Sequence, residues 1–168
     1  MALVVEDGTG LSTAETYSEV ADAATWLLKY GKSAFDSLAT TALKEESLRA
    51  GTLYVDSKYE SRMGGSRANS GQALAAPRAA WYYEDDGRLI GGTTVPEEIK
   101  RACYEAGELH ASGEDLNNAI EDESDVKAVT IGPLKDEFFQ GRTKEKRYPA
   151  IERHLRRLLQ PLGVLVRA

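Results

Sequence analysis

Read for its apolar positions, the chain divides into stretches of helical period separated by polar, glycine-containing segments. Val20, Ala24, Leu27 and Leu28 recur at three- and four-residue spacing and predict a first helix over about 18–30. Thr16 with Glu19, or Ser18 alone, offers N-cap chemistry, and Gly31 offers the stop. Trp26 and Tyr30 sit one turn apart on a neighbouring face. A second helix is predicted over about 41–59, with Leu43, Ala50, Leu53 and Tyr54 inside and Lys44, Glu45, Arg49 and Lys58 mostly outside. The third, over about 95–112, carries the longest stripe: Val95, Ile99, Ala102, Cys103, Ala106, Leu109 and His110. Thr94 and Glu97 have the spacing of a capping box, Pro96 suits a first turn, and Gly113 ends the pattern. Ile151, Leu155, Leu158 and Leu159 mark one side of a last helix between Pro149 and Pro161.

The remaining segments lack that period. Residues 1–15, rich in Gly and Thr, read as an extended N-terminal arm. Residues 60–93 form a long loop whose part from Met63 to Gly71 is flexible by composition, while Pro77 holds Ala76 extended. Val126–Thr130 and Leu134–Phe139 flank Gly132-Pro133 and predict a β-hairpin over 126–139. The expected fold is mainly α: a small bundle of about four helices with one hairpin and extended N- and C-terminal segments. A length of 168 residues fits a single domain, with 149–168 as a C-terminal helix and docking tail.

Composition narrows the classes. Charged residues make up 29% of the chain, and no apolar run approaches the roughly 20 residues that span a bilayer, so no membrane partner is expected. The acidic start lacks the basic region of a signal peptide. One cysteine, Cys103, forms no disulfide framework or cysteine-rich zinc site, and its place on an apolar stripe marks it as structural. His110 and His154 lie on different helices without metal-ligand spacing, Glu84-Asp-Asp-Gly87 lacks a calcium-loop spacing, and no phosphate loop or Gly-x-Ser-x-Gly elbow is present. No enzyme activity, cofactor or metal is expected.

Charge is unevenly placed. Residues 1–141 hold 13 Lys+Arg against 25 Asp+Glu, net −12; residues 142–168 hold 8 against 2, net +6. A basic end on an acidic body predicts one end that meets an acidic partner. Arg153, Arg156 and Arg157, with Leu162, Val164, Leu165 and Val166 beyond them, are the candidate partner surface. Arg62, Arg67, Gln72 and Arg78 are candidate loop contacts between subunits. The three arginines are interleaved with Tyr59, Trp81, Tyr82 and Tyr83, a pattern that suits tracking and stacking of single-stranded bases. The −12 body argues instead that the aromatics fill the core and the arginines order the loop.

Several motifs follow one another in a recognisable order. They are Met1–Gly10, Thr16-Tyr-Ser18 before Ala21-Asp-Ala23, Arg49-Ala-x-x-Tyr-Val-Asp56, Gln72-Ala-Leu-x-x-Pro-Arg78, Val95-Pro-x-x-Ile-Lys100, Val129-x-Ile-Gly-Pro133 and Tyr148-Pro-Ala-Ile151. This order resembles the head–tail adaptor (connector) proteins of tailed bacteriophages over nearly the whole chain. Ala76 stands where that family usually has an aromatic residue before the proline. Some sequences of this kind are labelled DnaT-like single-stranded-DNA-binding proteins. The resemblance implies a structural protein of the virion neck. It would form a homo-oligomeric ring, commonly of about twelve subunits. Its partners would be the portal protein and tail-side stopper or tail terminator proteins, and genomic double-stranded DNA would pass through without specific binding. The alternative is a single-stranded-DNA-binding replication accessory protein.

Overall fold

The computed structural model describes residues 3–116, 120–121, 128–131, 134–137 and 144–161, with side chains described within 3–116 and 146–161. Two compact units emerge, one of residues 1–116 with 149–168, the other of residues 117–148.

The first unit is helical, as the periodicity predicts: α1 Val20–Lys29, α2 Thr41–Tyr59, α3 Glu97–Ala111 and α4 Pro149–Leu155. α3 is central and touches the other three. Its stripe is where the sequence puts it, with Ile99, Ala102, Cys103 and Ala106 buried. α2 keeps its expected bounds but not its expected face. Leu43 and Leu53 are exposed, as is Leu28 of α1, and the buried side of α2 is Ser47, Leu48, Gly51, Thr52, Tyr54, Val55 and Tyr59. The cause is a close crossing of backbones. A Cβ on Gly51 would lie 2.6 Å from both the Cys103 carbonyl oxygen and the Gly107 amide nitrogen. Two facing glycines, rather than two leucines, set the contact.

The expected caps also differ. Thr40 caps α2, its hydroxyl accepting from the Leu43 amide at 3.3 Å. α1 starts at Val20 because the hydroxyls upstream are committed elsewhere: Thr16 to the Ser18 carbonyl at 3.0 Å, and Ser18 to Tyr104 at 2.6 Å. α3 starts after Pro96, whose carbonyl accepts from Ile99 and Lys100, and no side chain caps it. Thr94 closes a turn with Gly91 instead of forming the capping box with Glu97. α3 in turn caps the connection after α1: the Glu108 carboxylate accepts from the amides of Ala34 and Phe35 at 2.9 and 2.8 Å.

The expected N-terminal arm is folded back on its own unit over its described part, residues 3–15. Glu6 is buried and its carboxylate accepts from the amides of Gly8, Gly10 and Leu11 at 2.8–2.9 Å. These amides offset the desolvation that would otherwise make a buried carboxylate costly. Gly8 and Gly10 have φ of +99° and +78°, conformations that glycine adopts without a Cβ penalty. The arm's carbonyls reach the long loop: Leu11 accepts from Ala73, and Thr9 from Asn69.

That loop is ordered by short antiparallel pairs: β1 Ser66–Arg67 with β2 Arg78–Ala79, and β3 Trp81–Tyr82 with β4 Leu89–Ile90. The Ala76–Pro77 bond is cis. Trp81 is fully buried, its indole N–H donating to the Leu158 carbonyl. Ile151, Leu155, Leu158 and Leu159 are all buried, but the helix expected to run up to Pro161 ends at Leu155, and the last two lie beyond it. The tail residues Leu162, Val164, Leu165 and Val166 lie outside the described residues.

The second unit contains the expected hairpin, with slightly tighter bounds: β6 Ala128–Ile131 pairs with β7 Leu134–Glu137. β5 Ile120–Glu121 pairs with β8 Lys144–Glu145. Both pairs are antiparallel and share one register, so six residues separate β5 from β6 and six separate β7 from β8.

Candidate functional site

The basic end of the first unit forms a groove of about 880 Å3. Two backbone links build it. Leu159 bridges Met63, and the Gln160 amide donates to the Arg62 carbonyl at 2.8 Å; the Glu84 amide donates to the Arg157 carbonyl at 2.8 Å. The end of α4, the turn after α2 and the β3–β4 turn are thereby brought together. Arg62, Arg153, Arg156 and Arg157 line the groove, opposed by Glu84, Asp85 and Glu152.

These arginines are not equivalent. Arg157 donates to Asp85 at 2.5 Å, Asp86 at 3.2 Å and Glu98 at 3.4 Å, and its guanidinium lies 4.6 Å from the Tyr83 ring centroid. The hydrogen bond from Arg157 holds the Asp85 carboxyl below its usual range. Arg157 is therefore a clamp whose charge is spent within the chain. Arg62 makes two long bonds to the Gln160 carbonyl, at 3.3 and 3.4 Å. Arg153 and Arg156, three residues apart and exposed, have no ionic or hydrogen-bond partner among the described residues. Two uncommitted guanidinium groups, one in the last turn of α4 and one just past its end, can donate to phosphate or carboxylate.

The other loop candidates serve the loop itself. Buried Gln72 donates to the carbonyls of Leu74 and Pro77 and accepts from the Asn69 amide. Arg67 chelates Glu60 at 2.6 and 2.9 Å and reaches the Gln72 carbonyl. Arg78, 7% exposed, donates to the carbonyls of Gly64, Ala75 and Gly65. Of the four loop candidates only Arg62 lines the groove.

Asp56, which the sequence showed only as part of a motif, is a half-buried acid. Asp56 accepts from the Tyr17 hydroxyl at 2.7 Å and the Ala75 amide at 2.8 Å, and Tyr17 in turn accepts from the Ala76 amide. The cluster pins the segment before Pro77 to α2. Burial raises the Asp56 carboxyl to about 6, against 3.8 when solvated. A raised acid pKa stabilises the fold fully below the unfolded value, and that contribution is lost as pH rises through the folded one. Relative to Asp56→Asn, the native chain is expected to lose about 2 kcal/mol between pH 4 and pH 7. Urea titrations at several pH values measure this, and a flat difference between the two chains would refute the assignment.

Cys103 and His110 both stand on α3. Cys103 is buried and free, and burial pushes its thiol well above the ordinary range. His110 meets the Ser47 hydroxyl at 3.1 Å. Among the described residues no group of three or more His, Cys, Asp or Glu is arranged to hold a metal ion, and no helix is long and apolar enough to cross a membrane.

Comparison with known families gives one match, to a family described as "Putative DnaT-like ssDNA binding protein", over residues 1–168. No curated protein and no solved structure matches the chain. The match overturns the head–tail adaptor identity and the connector function drawn from it, and favours the other label that the same motifs carried. The ground for portal and tail-side partners goes with that identity.

Proposed function

We propose, for a chain that belongs to the DnaT-like single-stranded-DNA-binding protein family, that it binds single-stranded DNA as a replication accessory protein. The observation that carries this reading is the full-length family match. The groove at the end of α4 supplies a physical means. Arg153 and Arg156 offer uncommitted cations, and Arg62 stands across from them. The acidic total does not prevent binding, because phosphates respond to the local field within a Debye length of about 8 Å at physiological salt. Arg157, neutralised by its three carboxylates, keeps the β3–β4 turn against α4 and so shapes the groove.

Fluorescence anisotropy of a labelled oligothymidylate over a range of salt concentrations tests the reading. Binding should weaken with salt, with a logarithmic slope of about −0.7 for each phosphate neutralised. Arg153→Ala with Arg156→Ala should flatten that slope by about 1.4, since two contacts are removed. Absence of salt-dependent binding by the native chain would sink the proposal.

A further inference from the structure

An aromatic cluster lies on the side of α4 next to the groove. Tyr30, at the C-terminal end of α1, is 59% exposed, and its ring centroid lies 4.6 Å from that of Trp26. Trp26 is half-buried and contacts His154 edge-on at 5.5 Å and Tyr104 at 5.7 Å. The cluster is held from below. Buried Glu105 is ion-paired with Lys32 and lies 3.7 Å from His154, and Tyr104 is bonded to Ser18. Gly31, at φ +73°, turns the chain directly after Tyr30, so no following helical turn covers the ring. Asp22, one turn before Trp26, and Glu105 are the nearby acids; Lys29 and Lys32 flank Tyr30 in sequence, and Lys29 has no partner among the described residues.

A tyrosine left largely in water on top of a tryptophan buries little of its own surface. Its exposed π-face is what a nucleobase stacks on, independently of sequence. α4 connects this face to the groove: His154 contacts Trp26, while the residue before it, Arg153, and Arg156 line the groove. We propose that Tyr30, supported by Trp26 and His154, is a base-stacking platform, with the strand's phosphates running over Arg153 and Arg156. This rests on the single-stranded-DNA reading and adds to it the place where bases are held.

The test compares an oligothymidylate with an abasic strand of the same length, using anisotropy and intrinsic tryptophan fluorescence of the full chain. Trp81 is fully buried, so a base-dependent change reports Trp26. The base-bearing strand should quench the emission and bind more tightly, while the abasic strand should bind weakly without quenching. Tyr30→Ala should weaken oligothymidylate binding about tenfold at unchanged salt slope, and Tyr30→Phe should restore it. Circular dichroism melting confirms that both variants fold. Equal affinity for the two strands, equal quenching by them, or a Tyr30→Ala variant that binds as well as the native chain would each overturn the platform and leave the groove intact. Failure of the native chain to bind either strand would remove both proposals.

Discussion

Gly51→Ala is expected to destabilise the helical unit by about 3 kcal/mol, although alanine is the better helix former by about 1 kcal/mol. The two effects have opposite signs, and the geometry decides between them. The new Cβ would sit 2.6 Å from the Cys103 carbonyl oxygen and from the Gly107 amide nitrogen, and 3.2 Å from the Ala106 carbonyl carbon. All three are backbone atoms of α3, so none can swing aside as a side chain would. α2 and α3 must separate along their length, loosening Leu48 and Val55 as well as Ala106. A loss of this size is a large part of the 5–15 kcal/mol that typically holds a domain together. Gly71→Ala is the control, because nothing lies within 4 Å of that position. Thermal melts in which Gly51→Ala matches or exceeds the native chain would show that the helices do not cross as described.

Arg78→Met is expected to cost a similar amount, about 3 kcal/mol, for a different reason. Methionine fills much of the same volume, so little packing is lost. What goes is the set of donors that satisfies the carbonyls of Gly64 and Ala75 in a buried setting and that of Gly65 in a part-buried one. Buried acceptors left without a donor lose their hydration with nothing in return, at about 1–3 kcal/mol each before relaxation. The damage should be local as well as global. Limited proteolysis should find new cleavage between Arg62 and Ala79 while α1 and α3 stay protected. Unchanged denaturation midpoints and an unchanged cleavage pattern would mean that the loop is held by other contacts.

Much of the fold was legible in the sequence, for physical reasons that differ by element. The bounds of α2 and the stripe of α3 follow from period alone, and Ile151 to Leu159 read correctly as buried, although the helix carrying them stops at Leu155. The face of α2 did not, because Leu43 and Leu53 outweigh Gly51 in any count of apolar residues, although the glycine sets the approach. Caps at Ser18 and Thr94 failed because each residue had a better partner: Tyr104, 86 residues away, and the turn with Gly91. In the groove, Arg153 and Arg156 were readable as a basic patch. The spent charge of Arg157 was not, since Asp85, Asp86 and Glu98 lie far from it in the chain. The acidic average of residues 1–141 argued against nucleic acid, but an average over 141 residues says nothing about where the cations gather. Trp26 and Tyr30 were visible as a pair one turn apart; that His154 would join them depends on how α4 docks.

The shared register of the two strand pairs in the second unit limits how the two segments between them can change length. Residues of β5–β8 and of β6–β7 pair on one numerical rule, with six positions between them on either side. A single deletion on one side alone would take the outer pair off the numerical register that it shares with the inner one. Deletions matched one for one between β5 and β6 and between β7 and β8 would preserve the shared register. Relatives of this chain should therefore change the segments β5–β6 and β7–β8 in equal steps, while unequal changes should be confined to the connection between Ile131 and Leu134.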